Sequence, residues 1–256
     1  MGIPGPGESR VNKISNHEYF SRLGAMITNF MSEITPEGNI FRVDLRLRPD
    51  GRMGDIAYSL RSYEIYYESY GVTLERQALI KTRVCAGDME LGRRFIRTVK
   101  PFIYRKHLDH AAIEEIKQMK EAIDRRLRHE KKDEGHVKLG YGGIREIEFV
   151  IQAFQLVYGG RDDRLQRSNS IQALESLYEA RYLNHSDYSA LRDAYLFLRD
   201  LENRLQISHG LQTHSLPGDE RMLAVLARKM GMSGDGHREL ADKLMREYAR
   251  HVETVR

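Results

Sequence analysis

Hydrophobic and charged residues alternate through the stretch FRVDLRLRPDG, residues 41–51. Apolar side chains occupy every second position, and the positions between them carry three arginines and one aspartate. This period of two predicts a β-strand with one buried face and one polar face. Pro49, Asp50 and Gly51 form a turn signal that ends the strand.

Helical periodicity dominates the rest of the chain. A helix is predicted to begin near Ser15 or Asn16 and to end in the segment TPEG, residues 35–38. Residues 63–70 also follow a helical pattern, whereas residues 74–87 fit a helix or a strand equally well. From about Asp88 onward, apolar residues recur three and four positions apart. The predicted fold is therefore mainly α with a small α+β portion, divided into residues 1–100 and a helical bundle of residues 101–256.

Composition and charge narrow the classes of function. Hydrophobic side chains make up 41% of the 256 residues, which is enough for a core. The 41 basic and 37 acidic residues give a net charge of only +4, spread along the chain, which argues against nucleic-acid binding. With one cysteine, no signal peptide and no long apolar run, we expect a cytoplasmic protein that does not enter a membrane. The opening MGIPGPGESR is predicted to be a loop, so we expect a further segment before it.

Asp44 is the one carboxylate on the polar face of the predicted strand, and it allows two interpretations. In the first, it neutralises the arginines beside it on a solvated face. In the second, this face lines a cleft for phosphates, in which arginines contact phosphate oxygens and Asp44 holds Mg²⁺. Metal-dependent phosphoryl transfer needs several carboxylates, and a strand bearing D-x-D is the usual complement. The sequence contains no D-x-D.

A second candidate site is the segment GYGGIREIEF, residues 140–149, where three glycines precede a predicted helix. Free backbone N–H groups there can meet an anion, and Lys138 and Arg145 add positive charge. The alternative is a tight turn into a packed helix, which glycine also permits. Glu146 and Glu148 lie about 200° apart on a helix. We therefore expect one of them to be a surface charge and the other a buried or interdomain partner.

Two more basic residues become candidates if residues 79–84 form a strand. Lys81 and Arg83 would then share one face, an arrangement that suits phosphate. A solvated basic edge strand explains the same spacing equally well.

Five long segments together resemble the glutamine synthetase adenylyltransferase family, two-headed enzymes that add AMP to a tyrosine of glutamine synthetase and remove it. The segments are ISNHEYFSRL, TPEGNIFRVDLRLRPDGRMG, YYESYGVTLERQALIKTRVCAGD, VKLGYGGIREIEFVIQAFQLVYGGRD and LRDAYLFLRDLENRLQ. They follow one another in order over nearly the whole chain. The fourth segment is more similar to the N-terminal, AMP-removing half of the family than to the AMP-adding half.

The resemblance implies roles for particular residues. It implies that residues 1–100 are the C-terminal part of a nucleotidyltransferase domain and that residues 101–256 are its helical partner domain. Asp44 matches the family's third metal-binding aspartate, so the resemblance makes it a catalytic residue and a ligand of Mg²⁺. The implied contacts to nucleotide or phosphate are Arg46, Arg48, Lys81 and Arg83. The family's upstream Gly-Ser and D-x-D elements are absent, so the chain alone is expected to be inactive.

The reaction implied by the resemblance is the removal of AMP from glutamine synthetase, with Mg²⁺ as cofactor and phosphate, ATP or ADP as substrates. The implied partners are glutamine synthetase and a signal protein of the PII type, with no nucleic acid and no membrane. A second hypothesis treats residues 101–256 as a non-catalytic helical module that docks glutamine synthetase or a PII-type protein.

Overall fold

Helices dominate the described part of the chain, and the strands found there are confined to two short segments. The computed structural model describes residues 2–3, 14–36, 38, 41–106, 114–118, 121, 125, 135–209 and 214–255. The chain divides into two units, Met1–His107 and Leu108–Arg256. The prediction of a mainly α fold with a small α+β portion is confirmed. Within these described ranges, no helix combines the length and the hydropathy needed to cross a bilayer. The loop predicted for residues 1–10 lies outside the described residues, apart from Gly2 and Ile3.

The first unit is built from short and medium helices. Its helices are α1 (Asn16–Ser32), α2 (Leu60–Ser69), α3 (Thr73–Leu79) and α4 (Met89–Ile103). Strand β1 (Gly2–Ile3) pairs in parallel with β2 (Tyr58–Ser59). The hydroxyl of Ser15 accepts a hydrogen bond from the N–H of Glu18 and so caps α1, as helix-start residues do. The predicted start of this helix at Ser15 or Asn16 is confirmed.

Aromatic side chains form the core of the first unit. Tyr63 and Tyr67 are buried on α2, and their rings stack with centroids 6.2 Å apart. Helix α4 covers them, with Phe95 4.9 Å from Tyr63 and Phe102 5.0 Å from Tyr67 between ring centroids. Burial raises the pKa of Tyr63 to about 12. The aromatic run at residues 63–70 therefore serves packing.

The alternating segment at residues 41–48 is not a strand, and that prediction is wrong. Residues 41–46 have no regular secondary structure, and a bend follows at residues 47–48. Local side chains occupy its backbone groups: Asp44 accepts from the N–H of Arg46, and Arg48 donates to the carbonyl of Leu45. Such bonds compete with the ladder of a sheet. The apolar face is only partly covered, since Phe41 is 59% and Leu47 is 79% exposed, whereas Val43 and Leu45 are half-buried.

The second unit is a bundle of longer helices. They are α5 (Ile144–Tyr158), α6 (Ser170–Glu179), α7 (His185–His209), α8 (Glu220–Lys229) and α9 (His237–Val255), with a 3₁₀ turn at Asp163–Leu165. Residues 114–118 are also helical. Helix α9 packs along α8 and α7, and α6 packs on α5 and α7.

One apolar cluster holds the second unit together. Helix α7 contributes Leu198, Leu201 and Leu205, which follow the predicted spacing of three and four positions, and α5 contributes Ile147 and Ile151. All five are at most 1% exposed. Full burial of each such side chain stabilises the fold by roughly 2 kcal/mol. The core therefore fixes one face of α7, on which the polar residues described below also lie.

Candidate functional site

Asp44 and Arg46 form a close ion pair in the irregular segment after α1. The Nε of Arg46 donates to both carboxylate oxygens of Asp44 at 2.9 Å, and its Nη2 contacts Oδ2. Both side chains remain about half exposed. Hydrogen bonds from Arg46, with a smaller contribution from the charge of Arg42, hold the pKa of the Asp44 carboxyl well below its usual range. Asp44 is thus a permanent carboxylate whose charge is balanced by its neighbour.

The predicted magnesium site requires further metal ligands near Asp44. Nowhere among the described residues do three or more histidine, cysteine, aspartate or glutamate side chains gather as they would around a metal ion. Mg²⁺ prefers several oxygen ligands in octahedral geometry. The described residues therefore do not complete a magnesium site, and the assignment of Asp44 as a metal ligand stays a prediction.

The side chain of Arg48 donates hydrogen bonds to backbone carbonyls of its own loop. Its Nε donates to the carbonyl of Gly54 at 3.0 Å, and its Nη1 donates to the carbonyl of Leu45 at 2.6 Å. The loop is further joined to α2, because the hydroxyl of Tyr66 accepts from the N–H of Asp50. Arg48 thus shapes the turn that follows Asp44, and its predicted contact with phosphate remains untested.

Lys81 and Arg83 do not lie on a strand. Helix α3 ends at Leu79, and the N–H of Lys81 donates to the carbonyl of Ala78 in a tight turn. Residues 82–85 then continue without regular structure, with Lys81 half-buried and Arg83 exposed. The strand alternative for residues 79–84 is therefore wrong, because residues 79–81 belong to the end of the helix and its closing turn and residues 82–84 have no regular structure. The predicted role of both side chains in nucleotide binding stays a prediction.

The residues just before Lys81 have structural roles. Glu75 accepts from the N–H of Val72 at 3.0 Å and from the hydroxyl of Tyr66 at 2.9 Å, so it caps α3 and ties it to α2. Arg76 is 3% exposed, donates from Nε to the carbonyl of Phe102 and lies 4.9 Å above that ring's centroid.

The backbone N–H groups of the glycine-rich turn before α5 are bonded to carbonyls of the same turn. The N–H groups of residues 143–146 donate to the carbonyls of Gly140, Val137, Lys138 and Gly143, in that order. The N–H of Gly142 donates to the carboxylate of Glu146 at 3.0 Å. These donors are therefore not available to an external anion. The geometry favours the tight packed turn over the anion site.

The two glutamates of α5 both bond within the second unit. Glu146 receives the N–H of Gly142, and Glu148 accepts from the hydroxyl of Tyr195 at 3.0 Å. Both are half-buried. The expectation that one of them is a surface charge is wrong, because the turn before α5 folds back over Glu146.

A buried ionic cluster on α7, here called the Glu202 cluster, was missed from the sequence. Glu202 is 2% exposed and is surrounded by Arg199, Lys138 and His214. The Nη1 of Arg199 donates to Oε2 at 2.6 Å, and the Nζ of Lys138 lies 3.7 Å from Oε1. The Nδ1 of His214 approaches Oε1 to 2.9 Å, yet that oxygen receives no aligned hydrogen bond. The sequence indicates this cluster only through one charged residue, Glu202, that stands among the buried leucines of α7.

The Glu202 cluster joins three segments of the second unit. The N–H of Val137 donates to the carbonyl of His214 at 2.8 Å, and the rings of His136 and His214 stack at 5.6 Å. Lys138 and Arg199 are each about 40% exposed, so their charges lie at the surface above a buried carboxylate. Glu202 and Arg199 belong to α7, whereas Lys138 and His214 come from two other segments. The contact of His214 with Glu202 therefore anchors the segment around His214 to α7.

Each of the two units matches the sequence profile of a known family. Residues 4–98 match the sequence profile described as glutamate-ammonia ligase adenylyltransferase. Residues 114–256, more than half of the chain, match the profile described as GlnD PII-uridylyltransferase.

Individual relatives align across the boundary between the units. A bifunctional glutamine synthetase adenylyltransferase/adenylyl-removing enzyme of Hahella chejuensis is 42% identical over 223 residues, 87% of this chain and 23% of the relative. The protein of the same name from Pseudomonas aeruginosa is 42% identical over 222 residues, 86% of this chain and 22% of the relative. That of Thioalkalivibrio sulfidiphilus is 42% identical over 242 residues, covering 94% and 24%. The chain spans about a quarter of the length of the curated relatives it matches.

Proposed function

Because the chain belongs to the family of glutamine synthetase adenylyltransferases and adenylyl-removing enzymes, we propose that it is part of an enzyme that controls glutamine synthetase by removing AMP from a tyrosine. The resemblance drawn from the sequence is confirmed at the level of the family. One observation carries the proposal: an alignment with 42% identity over 242 of the 256 residues spans both units and therefore covers Asp44. In the whole enzyme the other half would add AMP.

The proposed reaction is a phosphorolysis. An oxygen of inorganic phosphate attacks the adenylyl phosphorus, and the bond from that phosphorus to the tyrosine oxygen breaks. The electron pair leaves with the phenolate, which takes up a proton, and the product is ADP. Negative charge grows on the transferring group, so cations near it stabilise the transition state. We propose that Arg46, Arg48, Lys81 and Arg83 supply part of that positive charge and that Asp44 contributes one carboxylate toward Mg²⁺.

The partners in this proposal follow from the relatives. Their names specify glutamine synthetase as the protein acted on. We propose the same target here, together with a signal protein of the PII type as regulator and a cytoplasmic location. The small net charge of +4 gives no support for a nucleic-acid partner.

A binding module is the second candidate function, and the geometry around Asp44 favours it for the isolated chain. Across the described positions no other carboxylates gather with Asp44 as metal ligands would. In this case the second unit docks glutamine synthetase or a PII-type protein without chemistry of its own. Calorimetry with Mg²⁺ and ADP separates the two candidates: heat from a millimolar or tighter site supports catalysis, and no heat together with binding to glutamine synthetase supports docking.

A chimera tests the catalytic proposal directly. The matching 223 residues of the Hahella chejuensis enzyme are replaced by those of this chain, and phosphate-dependent release of ADP from adenylylated glutamine synthetase is measured. We expect activity in the chimera and its loss on Asp44→Asn. Asp50→Asn is the matched control, because Asp50 is exposed, has φ of 57° and sits in a turn that asparagine tolerates. Full turnover in the Asp44→Asn chimera, or an inactive chimera beside an active parent, would refute the proposal.

A further inference from the structure

An apolar groove opens on the second unit between α7 and α8. Its volume is about 260 Å³. Leu205 and Leu226, both nearly fully buried, form its floor, and Pro217, Met222 and Val225 form its walls. None of the residues that line the groove belongs to the Glu202 cluster, and the proposed transfer reaction does not use the groove.

The walls of the groove leave apolar side chains in contact with water. Met222 is 45% and Val225 is 46% exposed, whereas Ala224 and Ala227 on the same helix are fully buried. Helix α8 therefore packs into the bundle through one face and presents a second apolar strip outward. Contiguous exposed apolar surface beside polar residues is typical of a site for another molecule.

The polar residues that line the groove are both cationic. Arg221 lies near the start of α8 and Lys229 lies at its end, eight residues or about 12 Å apart along the helix axis. Within the part of the chain that the structure describes, the Arg221 side chain makes no ion pair or hydrogen bond, although it is exposed beside the groove. Asp219, the residue that caps α8, accepts the N–H of Met222.

We propose that this groove docks an acidic amphipathic helix of a partner protein. Two apolar side chains one turn apart would fill the strip between Met222 and Val225, and a flanking carboxylate would pair with Arg221. The mode of binding is a helix laid into an apolar groove, with charge setting the orientation. The proposal is independent of the assignment of Asp44 and of the transfer reaction.

The charges of the groove argue against the other occupants. A second copy related by two-fold symmetry would bring the same cations face to face, because such an interface uses one patch twice. A small-molecule ligand is also disfavoured, because pockets for such ligands enclose most of the ligand, whereas Met222 and Val225 leave this groove open to water.

Two designed peptides probe the groove on the 256-residue chain. The first is a fluorescent helical peptide with leucines four residues apart and glutamates on both sides of them, and the second replaces every glutamate by lysine. We expect the acidic peptide to bind, measured by fluorescence anisotropy, and its affinity to fall as salt is added. The basic peptide is expected not to bind. Equal binding of both peptides would overturn the proposal.

Three substitutions on α8 complete the experiment. Val225→Glu is expected to abolish binding of the acidic peptide, and Arg221→Glu is expected to weaken it about tenfold, the effect of one lost charge pair at a partly desolvated site. Arg228→Glu is the matched control, since Arg228 is exposed on the same helix but does not line the groove, and we expect it to bind nearly as the unmodified chain does. Retained binding in Val225→Glu refutes the proposal. Self-association of the chain in sedimentation, lost in Val225→Glu, would assign the groove to a second copy and also overturn it.

Discussion

The guanidinium of Arg46 closes over the carboxylate of Asp44, two residues before it, and bonds to both oxygens. The pair lowers the pKa of the Asp44 carboxyl, so Asp44 stays ionised even in acid. It also means that a cation approaching Asp44 competes with a guanidinium that is already in place. In an exposed position such a pair adds little to stability, so its main effect is on the charge offered to a ligand.

Removal of Arg46 is expected to change the acidity of Asp44. In Arg46→Gln the pKa of the Asp44 carboxyl should rise toward its ordinary value, because the largest cause of its depression is the hydrogen bonding of Arg46. A carbon NMR titration of the Asp44 carboxyl measures this directly. Arg42→Gln is the control, since Arg42 acts only through a weaker charge effect and should produce a smaller rise. Equal rises in both variants would contradict the bonded geometry.

Three glycines of the second unit should respond to alanine in a graded way. Gly142 has φ of +67°, and a Cβ there would lie 2.2 Å from the carbonyl oxygen of Val252. Gly142→Ala is therefore expected to cost about 3 kcal/mol or more, from backbone strain and overlap together. Gly231 has φ of +81° with open space around it, so its alanine variant should cost about 1 kcal/mol.

Gly218 supplies the control for that series. It has no atom within 4 Å of a built Cβ and has no positive φ, so Gly218→Ala should leave the free energy of unfolding nearly unchanged. Urea denaturation of the three variants gives the ranking. A Gly142→Ala protein as stable as the Gly218→Ala protein would show that the turn before α5 does not contact α9 as described.

The Glu202 cluster should be more sensitive to loss of a cation than to loss of the carboxylate charge. Arg199→Met leaves a buried carboxylate without its closest donor and is expected to cost about 2 kcal/mol. Glu202→Gln removes the buried charge, while Arg199 and Lys138 are exposed enough for water to solvate them, so we expect about 1 kcal/mol. Urea midpoints compare the two, and the opposite order would contradict this account.

Stability should fall in mild acid because two histidines are held neutral. Burial is the largest cause of the lowered pKa of both His214 and His251. Around His251 lie Arg250, Glu247 and Asp193, and the imidazole stacks on Phe197. A base with a depressed pKa in the fold binds fewer protons there than in the unfolded chain. Its stabilising effect is therefore complete above the ordinary value of 6.5 and is lost as the pH falls below it.

His251→Phe tests the origin of this pH dependence. The variant keeps an aromatic ring against Phe197 and removes the titrating group. We expect urea midpoints measured at pH 7.5 and at pH 5.5 to differ less in the variant than in the unmodified chain. An unchanged difference would assign the acid sensitivity to other groups, such as His214.

The sequence was sufficient for the parts of the fold that depend on local signals. Ser15 marks the start of α1, and the spacing of Leu198, Leu201 and Leu205 marks the buried face of α7, because caps and helical periodicity are properties of neighbouring residues. The alternation at residues 41–48 gave a wrong prediction because a strand also needs a neighbouring strand with which its backbone can pair. Here the side chains of Asp44 and Arg48 bind the backbone instead.

The polar contacts of the second unit could not be read from local patterns. Glu202 meets Lys138 and His214 across separations of 64 and 12 residues, and only the packed bundle brings them together. Likewise, the glycines before α5 permit a turn or an anion site, and the choice depends on carbonyls that lie beside the N–H groups once the turn is folded. The residues around Asp44 were identified through resemblance, and their catalytic roles await the chimera.

The contact between Gly142 and Val252 brings the beginning of α5 within van der Waals reach of the end of α9. The first and the last of the long helices of the second unit are therefore joined at these ends, although Gly142 and Val252 are 110 residues apart in the sequence. The contact closes the bundle on itself, so loosening of either end would release the other as well.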